Sequence, residues 1–182
     1  AFTARYFGSR TVGVTNRLAI LGYSVPGAVI AMGILLVAGQ VTQATGWILT
    51  GSLTAMLLAY VVRFLAVAWQ PIDSGMERNC EQLNSAARSL GANAAQSLFQ
   101  INVPLLRNAL VAAGLFVFVD TMKELPLTLI LRPFDFETLS TRTFDLAKQA
   151  QIPESSVPAL CIILVSLLPV IWLNRQMRTP EK

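Results

Sequence analysis

The sequence predicts an all-α fold, a polytopic bundle of transmembrane helices interrupted by a polar loop with helices of its own. Two observations predict it. First, 54% of the 182 residues are hydrophobic and only 13% are charged, against about 25% charged in an ordinary soluble domain. Second, the few charges are unevenly spread: 45 consecutive residues between Arg17 and Arg63 carry none, and neither do the 20 between Glu154 and Arg175. Both runs exceed the roughly 18 apolar residues that suggest a membrane span. The chain also contains no histidine, which removes the commonest acid/base catalyst and zinc ligand. Together these features argue against a hydrolytic metalloenzyme.

Residues 1–17 carry three arginines and no apolar stretch long enough for a signal peptide. The chain opens on Ala1, so it is expected to be the later part of a longer one. The 45-residue uncharged run suits two crossings of about 20 residues each and a turn. The polar cluster 40–46 (QVTQATG) supplies the turn, giving spans at 18–39 and 47–69. Pro26 and several Gly and Ser residues in the first span favour close packing against neighbouring helices. Arg63 is expected near enough to a span end to snorkel.

Residues 70–104 hold Asp73, Glu77, Arg78, Glu81 and Arg88, too many charges to span. Leu83, Ala86, Ala87 and Leu90 share one helical face, and a second short stripe runs through Ala95, Leu98 and Phe99. Gly91 separates the two, and Pro104 opens the next apolar run, where proline suits a first helical turn. The reading is helix, break, short helix, re-entry. A third span is placed at 105–125 and a fourth at 157–173 (VPALCIILVSLLPVIWL), the latter tolerating Pro158 and Pro169. Trp47, Trp69 and Trp172 fall at the expected span ends, where indoles anchor. Cys80 and Cys161 lie in segments of opposite character and define no redox motif.

Lysine and arginine set the orientation. With both ends of the chain inside, the inner segments hold ten of the 14 basic residues. That predicts a multi-pass protein, N-in and C-in.

Within the polar loop, Ser85-Ala86-Ala87, three residues, Gly91, nine residues, then Ile101-Asn102-Val103-Pro104 resembles the EAA loop of the membrane subunits of bacterial ABC importers. That pattern is Glu-Ala-Ala, three residues, Gly, nine residues, Ile, any residue, Leu, Pro. Ala86, Ala87, Gly91, Ile101 and Pro104 match in identity and spacing, and Val103 replaces leucine. Such a coincidence has a probability on the order of 0.001 or less at ordinary residue frequencies. Ser85 stands in place of the glutamate; it can cap or hydrogen-bond but cannot pair with a basic residue. The stretch Lys123–Arg142 (KELPLTLILRPFDFETLSTR) and the early Leu21–Leu36 (LGYSVPGAVIAMGILL) are similar to ferric-iron importer permeases.

The resemblance implies a type I importer permease fold and a single, partial transmembrane domain over 1–182. It implies that Ser85, Ala86, Ala87, Gly91, Ile101, Val103 and Pro104 form a coupling loop for a dimer of ABC ATPase subunits. The further partners implied are a periplasmic solute-binding protein, a second permease half (in the same longer chain or as a homodimer) and the lipid bilayer, with no nucleic acid. The location implied is the bacterial inner membrane. Substrate would be ferric iron, with thiamine, aminophosphonate and polyamine importers sharing much of the pattern. No GxxxxGK[ST] phosphate loop occurs, so ATP is expected on the partner, with no cofactor, metal site or catalytic residue in this chain. A membrane-embedded enzyme would need a nucleophile and base within the spans, where only Asp120 and Glu124 are acidic; a non-transporting scaffold is a further alternative.

Asp120, Lys123 and Glu124 fall at i, i+3 and i+4, which predicts one helical face and an Asp120–Lys123 pair. They are candidates for the translocation path, or for a cluster near the outer interface where charge costs little. Arg132 and Arg142 flank an aromatic loop expected outside, and are candidates for contact with the binding protein.

Overall fold

The computed structural model describes residues 24–178, and within them the side chains of all but 77–82 and 176–178. Expectations for 1–23, for the side chain of Cys80 and for 179–182 lie outside the described residues. Among these residues the regular structure is helical, with no strand. The helices are α1 (Gly27–Thr45), α2 (Leu53–Ser89), α3 (Ala94–Gln96), a π-helical segment (Ser97–Asn102), α4 (Val103–Leu105), α5 (Arg107–Met122), α6 (Pro126–Leu131), α7 (Leu139–Lys148) and α8 (Ile152–Arg178). Gly27–Thr45, Leu53–Met76 and Ile152–Arg175 are long and apolar enough to cross a membrane; Ala94–Leu105 and Arg107–Met122, bent by 72°, make a fourth crossing if counted as one broken span.

The helix bounds differ from the expected ones for identifiable reasons. The polar cluster 40–46, expected as a turn, is helical through Thr45. Thr42 and Thr45 turn their hydroxyls back onto the carbonyls of Ala38 and Val41 at 2.8 and 2.7 Å, so these polar groups are satisfied inside the helix. Gly46, at φ 74°, ends α1 and donates its N–H to the Thr42 carbonyl. Ser52 caps the next helix: its hydroxyl oxygen accepts from the N–H of Ala55 at 3.2 Å. The second span therefore starts at Leu53 rather than at 47.

α2 then runs for 37 residues with Pro71 inside it. At 1.5 Å per residue it is about 55 Å long, against about 30 Å of hydrocarbon. The loop expected to begin at 70 thus starts as a continuation of the spanning helix: a single proline removes one ladder bond, and the residues after it are mostly good helix formers. The third span is not one straight helix over 105–125. Pro104 and the non-helical turn at Leu106 (φ −91°, ψ 5°) separate α4 from α5, a proline-associated kink. The expected 157–173 lies inside the longer α8.

By packing, the described chain divides into two units, each with its own core. In the unit Leu65–Val117, Met76 and Leu106 are buried, with Ile72 and Ala109 against them. Gly75 makes this approach feasible, since a Cβ there would lie 2.9 Å from a Leu106 methyl and 3.0 Å from the Ala109 methyl. The other unit comprises Val25–Phe64 and Phe118 onward. Its core joins Ala31 of α1, Met56 and Ala59 of α2, and Leu127 and Leu131 of α6; α6 packs on α1, and α7 on α8. Much of α8 is apolar and exposed, including Leu160, Leu164 and Leu168, as for a helix facing lipid or other helices.

Candidate functional site

The residues of the spaced motif fold into one capped helical corner. α2 ends at Ser89, and Gly91 takes the left-handed conformation at φ 82°. The Gly91 N–H reaches the Arg88 carbonyl and the Ala92 N–H reaches the Ala87 carbonyl, both at 3.0 Å. These are the two bonds of a Schellman motif, with glycine where an L side chain would be strained. Ala87 is buried, while Ser85 and Ala86 are exposed on the last turn of α2. Two residues beyond Gly91 the chain starts a new helix with a reciprocal cap. The Asn93 side chain accepts from the Gln96 N–H at 2.8 Å, and the Gln96 side chain accepts from the Asn93 N–H at 3.0 Å.

The return arm of the corner is the π-helical segment and α4. Ile101 is half-buried, and Val103 and Pro104 are exposed. A pair of residues outside the expected set joins the two halves of the motif. Asn102, fully buried, donates to the Asn84 side-chain oxygen at 2.9 Å and to the Ser97 carbonyl at 2.7 Å. Asn84 returns a bond to Asn102 Oδ1 at 3.3 Å. The amide–amide pair ties the end of α2, just before Ser85, to the segment that carries Ile101 and Pro104. A π turn of this kind is costly in isolation and is found preferentially at functional positions. Asn102 sits at the unrestricted position of the Ile-x-Val-Pro element, so the spacing does not single it out; an amide within the otherwise apolar 101–106 was the available signal.

The corner leaves apolar side chains in solvent. Leu90 is 88% exposed and Phe99 68%, with Leu83 at 46%. In the predicted stripes Leu83, Ala86, Leu90, Ala95 and Phe99 are exposed, Leu98 is half-buried and Ala87 is buried. From Leu83 to Leu106 the only formal charge is Arg88.

The charged candidates lie in the other unit and separate from one another. Asp120 and Lys123 pair at 2.7 Å, with Lys123 largely exposed. Glu124 does not share their face. α5 ends at Met122, the Glu124 N–H turns back to the Thr121 carbonyl at 3.2 Å, and the side chain points inward, the residue being 6% exposed. Its Oε2 lies 3.0 Å from Nε of Arg63. Arg63 consequently does not snorkel: it is ten residues into α2, and it also donates from Nη1 to the Val25 carbonyl at 3.1 Å. Glu124 Oε1 accepts the Leu127 N–H at 3.1 Å and so satisfies one of the free donors in the first turn of α6. Sequence reasoning missed this partner because 61 residues separate the two charges.

Arg132 at the end of α6 pairs with Asp145 of α7 at 3.0 Å, and Arg142 of α7 pairs with Glu137 in the connecting turn at 3.4 Å. Phe134 at the tip of that turn is 98% exposed. Trp47 lies between α1 and α2 and is exposed, whereas Trp69 lies inside α2 and Trp172 inside α8. Cys161 is exposed and free. Among the described residues no three His, Cys, Asp or Glu side chains are grouped to hold a metal.

Comparison with known proteins places this geometry in a family. Residues 1–179 match the model for the binding-protein-dependent transport system inner membrane component. The chain is 30% identical over 171 residues to the Fe(3+)-transport system permease protein FbpB 2 of Haemophilus influenzae, covering 94% of this chain and 33% of that protein. It is 25% identical over 175 residues to the putative 2-aminoethylphosphonate transport system permease protein PhnV of Salmonella paratyphi A, covering 96% and 64%. It is also 28% identical over 117 residues to the spermidine/putrescine transport system permease protein PotC of Haemophilus influenzae, covering 64% and 46%. The chain thus spans a third of the first of these relatives and under two thirds of the second. With its helical spans and its match along nearly the whole length, the chain belongs to the inner membrane components of binding-protein-dependent transport systems, the permeases of ABC importers.

Proposed function

We propose that this chain is the part of an importer permease that receives motion from an ATPase through the corner 83–104, and that the importer carries ferric iron. One observation carries the coupling reading. The residues spaced as in the EAA loop are held in a single corner by the Gly91 cap and the Asn84–Asn102 pair, while Leu90 and Phe99 stand in solvent. Such a corner is stiff where it joins the long helix α2 and apolar where a groove would receive it, as helix-in-groove docking requires. Closure of an ATPase dimer on ATP would then shift the spans between conformations, with no bond made or broken in this chain. Ser85 in place of glutamate leaves the contact to apolar packing and hydrogen bonds.

Ferric iron is favoured by the likeness of Lys123–Arg142 to iron importer permeases and by the FbpB 2 relative. 2-Aminoethylphosphonate is the second reading, supported by PhnV. The Asp120–Lys123 pair is the proposed polar element of the path; Glu124 is enclosed and does not line an open surface. The proposed orientation is N-in and C-in, which places 83–104 in the cytoplasm; a binding protein would deliver substrate from the other side, and a second permease half would cover exposed apolar helix faces.

The test is co-purification of the ATPase subunit with the full-length permease from membranes. Gly91→Pro or Ala87→Trp should abolish capture while the permease remains in the membrane; capture equal to wild type in both would overturn the coupling reading. Uptake of radioactive ferric iron against 2-aminoethylphosphonate decides the substrate.

A further inference from the structure

Arg63 lies about 15 Å along α2 from Leu53, in the interior of a segment long and apolar enough to cross the membrane. A charge at that depth needs a partner or water. Here Glu124, through its carboxylate and its backbone carbonyl, and Arg63 together join four elements. Glu124 Oε2 meets Arg63 of α2, and Oε1 takes the Leu127 N–H of α6. The Glu124 carbonyl accepts from Thr128 of α6 at 3.0 Å and from Ser140 of α7 at 2.8 Å. Arg63 extends the network to the Val25 carbonyl, two residues before α1. Gly27 of α1 lies against the pair so closely that a Cβ would be 2.7 Å from Oε1 and 3.1 Å from Nη1. One step further along, Tyr60 of α2 shares a hydroxyl hydrogen bond with Thr128.

A buried ion pair contributes little net stability over apolar packing, and its best-attested use is to fix one arrangement of the elements it joins. We propose that Arg63 and Glu124 are positioning residues, an ionic clasp that locks the break between α5 and α6 onto α1 and α2. The clasp makes α1, the first half of α2, α6 and α7 move as one body during transport. Only that last clause rests on the transport reading; the clasp itself rests on the geometry.

The experiment uses the full-length permease in nanodiscs, with Cys80 and Cys161 replaced by serine and spin labels at Leu36→Cys on α1 and Ile130→Cys on α6, both exposed positions. Pulsed electron spin resonance reads the distance between them. The otherwise unmodified chain should give a narrow distribution, and Glu124→Gln or Arg63→Gln should widen it by about twofold. The double variant should be no wider than either single, because both remove the same interaction. Should a single variant fail to assemble for want of a partner to its remaining charge, the double variant, which leaves no unpaired charge, carries the comparison with wild type. Unchanged widths in the assembled variants, or a double variant whose widening is the sum of the singles, would overturn the clasp. In parallel, uptake of iron-55 per ATP hydrolysed should fall about tenfold in each single variant. If wild type moves no iron, the substrate reading fails, and the distances alone decide the clasp.

Discussion

Replacing Gly91 by alanine perturbs the proposed coupling corner and almost nothing else. Its φ of 82° is left-handed, and no atom lies within 4 Å of where a Cβ would be. The cost is therefore backbone strain alone, about 1–2 kcal/mol. Gly46 provides an internal control: it too is left-handed, at φ 74°, in open space and at a helix end, but outside the corner. Both substitutions should lower stability by the same amount, seen as matched drops in melting temperature in detergent. Only Gly91→Ala should weaken capture of the ATPase. If the docking conformer is the strained one, a penalty of 1–2 kcal/mol removes it in favour of others and raises the apparent Kd by about 5- to 30-fold. The assay is equilibrium binding of the labelled ATPase subunit to full-length permease in nanodiscs. Equal binding by the two variants at equal loss of stability would refute the claim that this corner is the docking element.

Three other substitutions probe the rest of the network. Gly27→Ala puts a methyl 2.7 Å from Oε1 of a carboxylate whose two oxygens are each held, by the Leu127 N–H and by Arg63, and should destabilise by roughly 1–3 kcal/mol through overpacking despite alanine's helix preference; thermal denaturation reads this, and no change would mean the clasp yields freely. Asn102→Ala removes three hydrogen bonds and leaves the Ser97 carbonyl short of one, for a loss of roughly 3 kcal/mol, together with ATPase capture that Asn102→Gln does not restore. Ala150→Gly relieves a left-handed alanine at φ 59° and should raise stability by about 1 kcal/mol; a lower melting temperature would contradict it.

The parts of this molecule legible in the sequence are those governed by local pattern. Uncharged runs announced spanning helices because lipid penalises charge regardless of what lies beyond. Gly91 announced a break because its backbone freedom is a property of one residue. Helix ends were less legible: Thr42 and Thr45 read as turn-formers, yet each satisfies its hydroxyl within α1. The charged stretch from residue 70 onward read as a boundary, yet a 37-residue helix runs into it as far as Ser89. The least legible features depend on distant partners. Glu124 was grouped with Asp120 and Lys123 by helical spacing, but α5 stops two residues earlier and Arg63, far back in the chain, draws the carboxylate inward. Asn84 and Asn102 carry no spacing signal of their own; only the fold brings their amides together.

The central claim is that the corner 83–104 is where this permease meets its ATPase, and contact mapping tests it most directly. A photo-reactive phenylalanine analogue placed at Leu90, 88% exposed in the corner, is compared with the same group at Phe134, 98% exposed on the turn between α6 and α7. Each is carried on the full-length permease in native membranes and irradiated, and the products are identified by mass spectrometry. The account predicts a cross-link to the ATPase subunit from position 90 and none from position 134. A cross-link to the ATPase from 134, or only lipid adducts from 90, would contradict it.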